Sequence, residues 1–295
     1  MSQSFVAELA ARVLAGHAPI VIGLDPRLDA LPAAVAPGGS PTERILEFYR
    51  LALPAVARHA PCVKPNIAFF ECFGSEGYRA FERTCEMAKA AGLLVLADVK
   101  RGDIGSTAEA YAEGHYQVAD AVTLHPYLGG DSVAPFLKAC RPETGGKAVF
   151  VLVRTSNPGA RDFQDLPVRG NDGVERSLCD IVAQEVTRWG ANLPMAEGYS
   201  PVGAVVGATW PQELARLRAL LPHAWLLLPG VGAQGGSVKD LRAAFDHRGL
   251  GALVNQSRGV MQAFAPGDSD WLQRLESAAA TFARDCKAVA TGKQA

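Results

Sequence analysis

Four charged residues of alternating sign lie in or near strand-like segments of the chain. Asp98 and Lys100 are separated by one residue at the end of the apolar run Leu93–Lys100, and Asp103 follows soon after. Because residues two apart in a strand point to the same side, Asp98 and Lys100 share one face, which Lys64 of an earlier segment can also reach. Such an array keeps lysines protonated and carboxylates ionised, which suits electrostatic catalysis with proton transfer. A structural salt-bridge network is the alternative.

A second group of residues is suited to binding phosphate. The glycine-rich segment Pro229–Gly236 contains Gln234, and the later segment Asn255–Gly259 contains Arg258. Glycine-rich turns expose backbone N–H groups, the next helix start adds its dipole, and an arginine supplies a planar fork for the anion. The glycines of this segment also match the dinucleotide-binding motif G-x-G-x-x-G. However, only about 65 residues follow Gly230, which is too few for a dinucleotide-binding domain. The segment therefore predicts a monophosphate site, with ordinary tight turns as the alternative.

The elements that must position these residues alternate between apolar strands and helical patterns. Continuous apolar runs are typical of parallel strands covered on both faces. Eight such β/α units in 295 residues predict an α/β fold, a (β/α)₈ TIM barrel with a single domain over residues 1–295, and a doubly wound sheet is the alternative. The predicted strands are Pro19–Leu24, Cys62–Phe69, Leu93–Lys100, Ala121–His125, Ala148–Thr155, Val202–Thr209, Trp225–Val231 and Ala252–Arg258.

Polar residues interrupt or end most of these predicted strands. Burying an unpaired charge costs several kcal/mol, so the charged members must pair with one another or with a ligand. The carboxyl ends of barrel strands are also where active sites lie. The residues in question are Asp25, Lys64, Asn66, Asp98, Lys100, His125, Arg154, Thr209 and Arg258.

A long polar connection follows the predicted fifth strand. The segment Ser156–Asn171 contains two glycines and two prolines and is predicted to be irregular. Loops of this length in a compact domain are usually functional, and this one begins at the active-site end of a strand. We therefore predict a lid or binding loop at about residues 156–172, with a passive surface insertion as the alternative.

Composition and charge exclude several classes of protein. Lys plus Arg is 29 and Asp plus Glu is 30, so the chain lacks the basic surface of a nucleic-acid-binding protein. No apolar run reaches the ~20 residues of a membrane helix, and the N-terminal segment lacks the basic region of a signal peptide. Six cysteines without C-x-x-C spacing indicate reduced thiols in a cytoplasmic protein. No metal-ligand spacing is present, so we expect a site without a metal.

The motifs, taken in order, closely resemble those of the orotidine 5′-phosphate decarboxylase family. The resemblance runs from about residue 20 to residue 260. Three features are similar to those of the family's bacterial second subfamily. They are the long chain, the sequence Lys100-Arg-Gly-Asp and the long loop after Thr155. The matching segments are Gly23–Asp25, Lys64–Glu71, Leu96–Gly105, Thr155–Gly159, Val206–Thr209 and Pro229–Gly236.

The resemblance implies an activity and an assembly. The expected reaction is decarboxylation of orotidine 5′-phosphate to UMP in de novo pyrimidine biosynthesis, without a cofactor. The expected catalytic residues are Lys64, Asp98, Lys100 and Asp103, with Lys100 as the proton donor. In this family the last aspartate comes from the partner subunit, which implies a homodimer with shared active sites.

The resemblance also implies which residues bind the substrate. Asp25 corresponds to the residue that contacts the ribose, and Ser156 to the residue that contacts the pyrimidine. Gln234 and Arg258 correspond to the phosphate ligands. The full expected set is Asp25, Ile104, Thr107, Ser156, Pro229, Gln234 and Arg258, in which Ile104 and Thr107 come with Asp103 from the partner.

Two features depart from the family's pattern, and two alternatives remain. Ser257 precedes Arg258 where many members have glycine, and the loop after Thr155 is longer than in compact members. A metal-dependent alternative, 3-keto-gulonate 6-phosphate decarboxylase, shares D-x-K-x-x-D, but Lys64-Pro-Asn in place of a metal-binding acid argues against it. A non-catalytic barrel that binds a phosphorylated ligand would need no ordered array of lysines and aspartates.

Overall fold

The apolar segments form strands that are buried along nearly their whole length. A computed structural model describes residues 4–170, 172–232 and 235–292. The strands of this part of the chain are β1 (Ile20–Leu24), β2 (Cys62–Pro65), β3 (Leu94–Arg101), β4 (Ala121–Leu124), β5 (Ala148–Arg154), β6 (Pro167–Arg169), β7 (Glu175–Ser177), β8 (Ser200–Val206), β9 (Ala224–Leu228) and β10 (Ala252–Gln256).

Eight of these strands close into a parallel barrel in the order β1, β2, β3, β4, β5, β8, β9 and β10. Closure is completed by β1, which pairs with β2 on one side and with β10 on the other, where Ile20 lies opposite Val254. The predicted (β/α)₈ barrel is therefore confirmed, and the doubly wound sheet, which would leave two open edges, is excluded.

Most helices cover the outside of the barrel, whereas the first helix packs against the apolar cluster of its interior. The α-helices are α1 (Phe5–Leu14), α2 (Pro41–Ala57), α3 (Ala68–Glu71), α4 (Gly74–Ala90), α5 (Gly105–Val118), α6 (Gly130–Leu137), α7 (Arg161–Gln164), α8 (Leu178–Gly190), α9 (Pro211–Leu220), α10 (Arg258–Met261) and α11 (Trp271–Thr291). Local sequence sets their starts: α2, for example, begins with a capping box between Ser40 and Glu43. None of the described helices is long and apolar enough to cross a membrane.

Alternate strand residues build two separate apolar layers. One buried cluster lies between the strands and the surrounding helices. The other lies inside the barrel and includes Phe150 and Trp225 together with Phe5 and Leu9 of α1. The rings of Phe5 and Phe150 meet edge to face at 6.2 Å, so α1 packs on the barrel interior. This leaves the carboxyl ends of the strands as the end that carries the polar residues.

Two predicted elements differ most from the structure. The predicted strand Cys62–Phe69 ends at Pro65, a single bridge then pairs Asn66 with Asp98, and α3 follows, with the Asn66 side chain accepting a hydrogen bond from Ala68 N. The predicted irregular loop Ser156–Asn171 contains α7 and leads into an antiparallel hairpin of β6 and β7. The polar composition of this segment did not indicate strands, so the hairpin was not predicted. Its turn includes Gly173 at positive φ.

Candidate active site

A cavity of about 470 Å³ opens at the carboxyl ends of the barrel strands. All eight barrel strands contribute residues to its lining, from the strand itself or from directly after it. Among the predicted site residues, the cavity is lined by Asp25, Lys64, Asp98, Lys100, Ser156, Pro229 and Arg258. Residues that the sequence did not single out as site residues also line it, including Thr123, Asn255 and Gln256.

Asp98 lies at the centre of the charged array. Lys64 Nζ donates a hydrogen bond to Asp98 Oδ2 at 2.6 Å, and Lys100 Nζ donates to Asp98 Oδ1. Lys64 and Asp98 are buried, whereas about half of the Lys100 side chain is exposed to the cavity. One carboxylate thus bridges a buried ammonium and an accessible one.

Burial and charge act in opposite directions on this array, and charge prevails. Burial by itself would raise the pKa of Asp98, but Lys64 and Lys100 hold it well below its usual range. Burial would lower the pKa of Lys64, but Asp98 and Asp25 raise it above its ordinary value. At neutral pH the buried lysine is therefore protonated and the aspartate is ionised.

Two buried oxygen atoms in the cavity lack a hydrogen-bond partner within the described part of the chain. They are Asp25 Oδ1 and Asn255 Oδ1. A buried polar atom without a partner is costly, so such atoms at a cavity wall indicate a place for a polar ligand. Asn255 begins the predicted phosphate-binding segment Asn255–Gly259, but no pattern in the sequence marks it individually as a ligand-binding residue.

The end of the cavity that is predicted to bind phosphate is formed by the turn after β9 and by the start of α10 after β10. Gly230 and Gly232 have φ of 103° and 74°, a left-handed conformation that favours glycine. The next helical segment after this turn, Val238–Ala244, is a 3₁₀ helix rather than the expected α-helix. Arg258 is exposed at the cavity. The predicted phosphate ligand Gln234 lies outside the described residues.

Ser257, the departure from the family's pattern, packs against the backbone of β1. A Cβ atom added to Gly23 would lie 1.9 Å from Ser257 Oγ, so a side chain at residue 23 would displace this serine. The absence of a side chain at Gly23 thus leaves room for the hydroxymethyl group of Ser257, which directly precedes Arg258.

The segment after β5 begins at the cavity and is tied back to the barrel. Thr155, Ser156 and Asn157 line the cavity. Thr155 N donates to Gln164 Oε1 at 2.9 Å, and Trp210 Nε1 donates to the Thr155 carbonyl at 2.9 Å. These bonds fix the start of the segment on which Ser156 is placed.

Arg154 at the end of β5 faces away from the charged array. It is 1% exposed and forms ion pairs with Asp165 at 2.7 Å and with Glu213 at 3.2 Å. Its guanidinium also lies 4.3 Å from the ring centroid of Trp210, on which Arg161 stacks at 4.9 Å. This strand-end charge therefore pairs within the protein and anchors the segment after β5.

Three predicted site residues lie outside the cavity lining of this single chain. Asp103 Oδ1 accepts a hydrogen bond from the N–H of Ile104, and Thr107 is exposed in the first turn of α5. Ile104 is 55% exposed. Other exposed apolar side chains follow β4 and β5 at the same end of the barrel, among them Tyr127 at 81% and Phe163 at 65%.

A closed barrel with an ion-paired lysine–aspartate–lysine cluster at its carboxyl ends is the arrangement of a (β/α)₈-barrel enzyme. The model of the orotidine 5′-phosphate decarboxylase / HUMPS family matches residues 19–268, and the chain belongs to this family. The family assignment made from the motifs is therefore confirmed.

Individual relatives resemble the chain over nearly its full length. An orotidine 5′-phosphate decarboxylase of Rhodopirellula baltica is 41% identical, and the alignment covers 93% of this chain and 96% of the relative. The enzyme of the same name from Deinococcus radiodurans is 44% identical and covers 89% and 91%. The solved structure of Leishmania donovani OMP decarboxylase superposes with a TM-score of 0.78 at 35% identity, covering 98% of this chain and 99% of that one.

Proposed function

We propose that this chain decarboxylates orotidine 5′-phosphate to UMP in de novo pyrimidine biosynthesis. The proposal is supported by family membership and by curated relatives that carry the name of this enzyme. The observation that carries it is the ionised Asp98 held between the ammonium groups of Lys64 and Lys100 at a cavity wall. An array of fixed charges is what this reaction requires.

Loss of CO₂ from C6 of the orotate ring leaves a carbanion with no adjacent π system to delocalise it. The protein must therefore stabilise the developing charge with fixed, correctly placed charges. Lys100 is the accessible ammonium of the array, so we assign it to C6, where it stabilises the carbanion and then donates its proton to that carbon. Lys64 and Asp98 hold this ammonium in position. The expected reaction needs neither a metal nor an organic cofactor.

Asp98 has a second role in the proposed mechanism. It remains ionised because two ammonium groups depress its pKa. When the substrate carboxylate lies beside it, the two negative charges repel, and departure of neutral CO₂ removes that repulsion. The array therefore favours the transition state over the bound substrate.

The remaining cavity residues bind parts of the substrate that do not react. Asp25, with its unpartnered oxygen, binds the ribose, and Ser156 binds the pyrimidine. Gln234 and Arg258 bind the phosphate, and Pro229 also belongs to the substrate-binding set. Binding energy gained at the phosphate, remote from C6, orders the loops and assembles the site.

The segment after β5 acts as a lid in this proposal. Its first residues line the cavity, while Gln164 and the ion pair of Asp165 with Arg154 fasten its middle to the barrel. With this segment covering the pyrimidine, water is excluded and the charge interactions in the site are strengthened.

The active protein is a homodimer in which Asp103, Ile104 and Thr107 complete the partner's site. Support comes from the exposure of Ile104 and Thr107 at the carboxyl end of the barrel, the end that also carries exposed apolar side chains such as Tyr127. Apolar patches of this kind are typical of protein interfaces. We also propose a cytoplasmic location, consistent with six cysteines that form no disulfide within the described chain. Nucleic acid and membranes are not expected partners.

One assay separates the proposed function from its alternatives. Purified protein is incubated with orotidine 5′-phosphate, with and without EDTA, and formation of UMP is followed. Turnover that EDTA leaves unchanged supports the proposal. Turnover of a different sugar phosphate that EDTA abolishes would indicate the metal-dependent decarboxylase, and absence of turnover would indicate a binding protein.

A further inference from the structure

The backbone at Lys100 has an unusual conformation. Lys100 has φ of 44°, and only Ala36 and Glu197 share a positive φ among the described residues other than glycine. Left-handed backbone is unfavourable for a residue with a side chain, so neighbouring contacts must hold it. The pairing of β3 with β4 also changes register here, between Ala97 and Arg101.

Thr123 of β4 supplies the contacts at this irregular position. Its side chain is 1% exposed. The Val99 N–H and the Lys100 N–H both donate to Thr123 Oγ1, at 3.0 Å and 2.9 Å. The hydroxyl in turn donates to Asp98 Oδ1 at 3.1 Å.

These three bonds use the full capacity of one hydroxyl group. A threonine hydroxyl has one hydrogen to donate and two lone pairs to accept. Because backbone N–H groups can only donate, both lone pairs are occupied by β3, and the hydrogen is left for the Asp98 carboxylate. A single side chain thus satisfies the backbone of the shifted register and orients the central carboxylate of the array.

We propose that Thr123 is a positioning residue for decarboxylation, acting through Lys100 and Asp98; this inference rests on the proposed function. Its hydroxyl holds the left-handed turn that directs the Lys100 ammonium to C6. Without it, two backbone N–H groups, one of them buried, lose their acceptor, the register of β3 relaxes, and the ammonium moves. Displacement of a reacting group by about 1 Å costs on the order of 100-fold in rate.

The central test replaces Thr123 with valine, which keeps the shape and removes the hydroxyl. We expect kcat to fall about 10- to 100-fold, with UMP affinity within about threefold of the parent, because ribose and phosphate contacts are retained. Thr123→Ser keeps the hydroxyl and should retain kcat within about threefold. This split between kcat and binding distinguishes positioning from a general loss of structure.

Thr84 provides a matched control. It is fully buried in α4, and its hydroxyl donates to the Ala80 carbonyl at 2.8 Å, remote from the cavity. Thr84→Val should lower stability while leaving kcat unchanged. Circular dichroism and urea unfolding establish that each variant is folded before its kinetics are compared.

Two results would overturn the inference. They are parental kcat in Thr123→Val, or equal losses in Thr123→Ser and Thr123→Val, which would show that the hydroxyl does not account for the effect. If the valine variant does not fold, Thr123→Ala and Thr123→Ser, which differ by the hydroxyl alone, decide the question in the same way. A parent protein that does not decarboxylate orotidine 5′-phosphate would refute the proposed function itself, whereas an active parent with an equally active valine variant refutes only the role of Thr123.

Discussion

Asp98→Asn removes the charge that keeps Lys64 ionised inside the protein, while preserving the shape of the side chain. Lys100 has a side chain that is 49% exposed and can turn to water, but Lys64 is 5% exposed and cannot. Removing one partner of a buried ion pair costs about 3–5 kcal/mol, because the other charge remains buried. Asp25 also supports the charge on Lys64, so we expect a loss near the lower limit, about 3 kcal/mol of unfolding free energy.

The variant should also respond differently to pH. In the parent, the Asp98 pKa is depressed by folding, so its contribution to stability is present above the unfolded pKa of about 4 and is lost as the pH falls through the folded value. In Asp98→Asn, burial lowers the Lys64 pKa below that of the unfolded chain. The unfolded state then binds more protons, so the variant should gain stability relative to the parent as the pH rises from about 6 to 9.

Equilibrium urea unfolding at several pH values measures both effects. Asp120→Asn is the matched control, because Asp120 also lies between two lysines, Lys89 at 3.1 Å and Lys147 at 3.8 Å, but is partly exposed. Its loss should stay within about 1 kcal/mol. The double variant Asp98→Asn with Lys64→Met should be more stable than Asp98→Asn, since it removes the buried, unpaired charge of Lys64. An Asp98→Asn variant with parental stability and parental pH dependence would refute the argument that the array is held by buried charge.

Three further predictions concern catalysis. Lys100→Ala should abolish turnover while the protein still folds and binds UMP; near-normal activity would remove Lys100 as the proton donor. Mixing inactive Lys100→Ala with inactive Asp103→Ala should restore about a quarter of parental activity, since half of randomly exchanged dimers are hybrids with one intact site each. No recovery after verified subunit exchange would place the whole site within one chain. Arg258→Ala should lose about 30- to 1,000-fold in kcat/KM on orotidine 5′-phosphate, the equivalent of about 2–4 kcal/mol, but almost nothing on orotidine. An equal loss of kcat/KM on both substrates would contradict the assignment of Arg258 as a phosphate ligand.

Some strand-end polar residues had the same sequence signal but acquired different surroundings. Arg154 and Lys100 both end apolar strands, yet Lys100 faces the cavity and Arg154 is buried against Asp165 and Glu213. Glu213 is 59 residues away in the chain, so no local pattern could identify it as a partner. Position at a strand end therefore predicted that these charges would be paired, but it did not identify the residue or ligand with which each one pairs.

The sequence by itself determined the barrel strands and the core of the charged array, because both depend on residues close together in the chain. Apolar runs predict buried strands, and the spacing of Asp98 and Lys100 places both on one side of β3. Only the tertiary structure decided that Thr123 would hold this array. A threonine within a buried strand carries no distinguishing pattern, and its three hydrogen bonds exist because barrel closure sets β4 beside β3 with a shifted register.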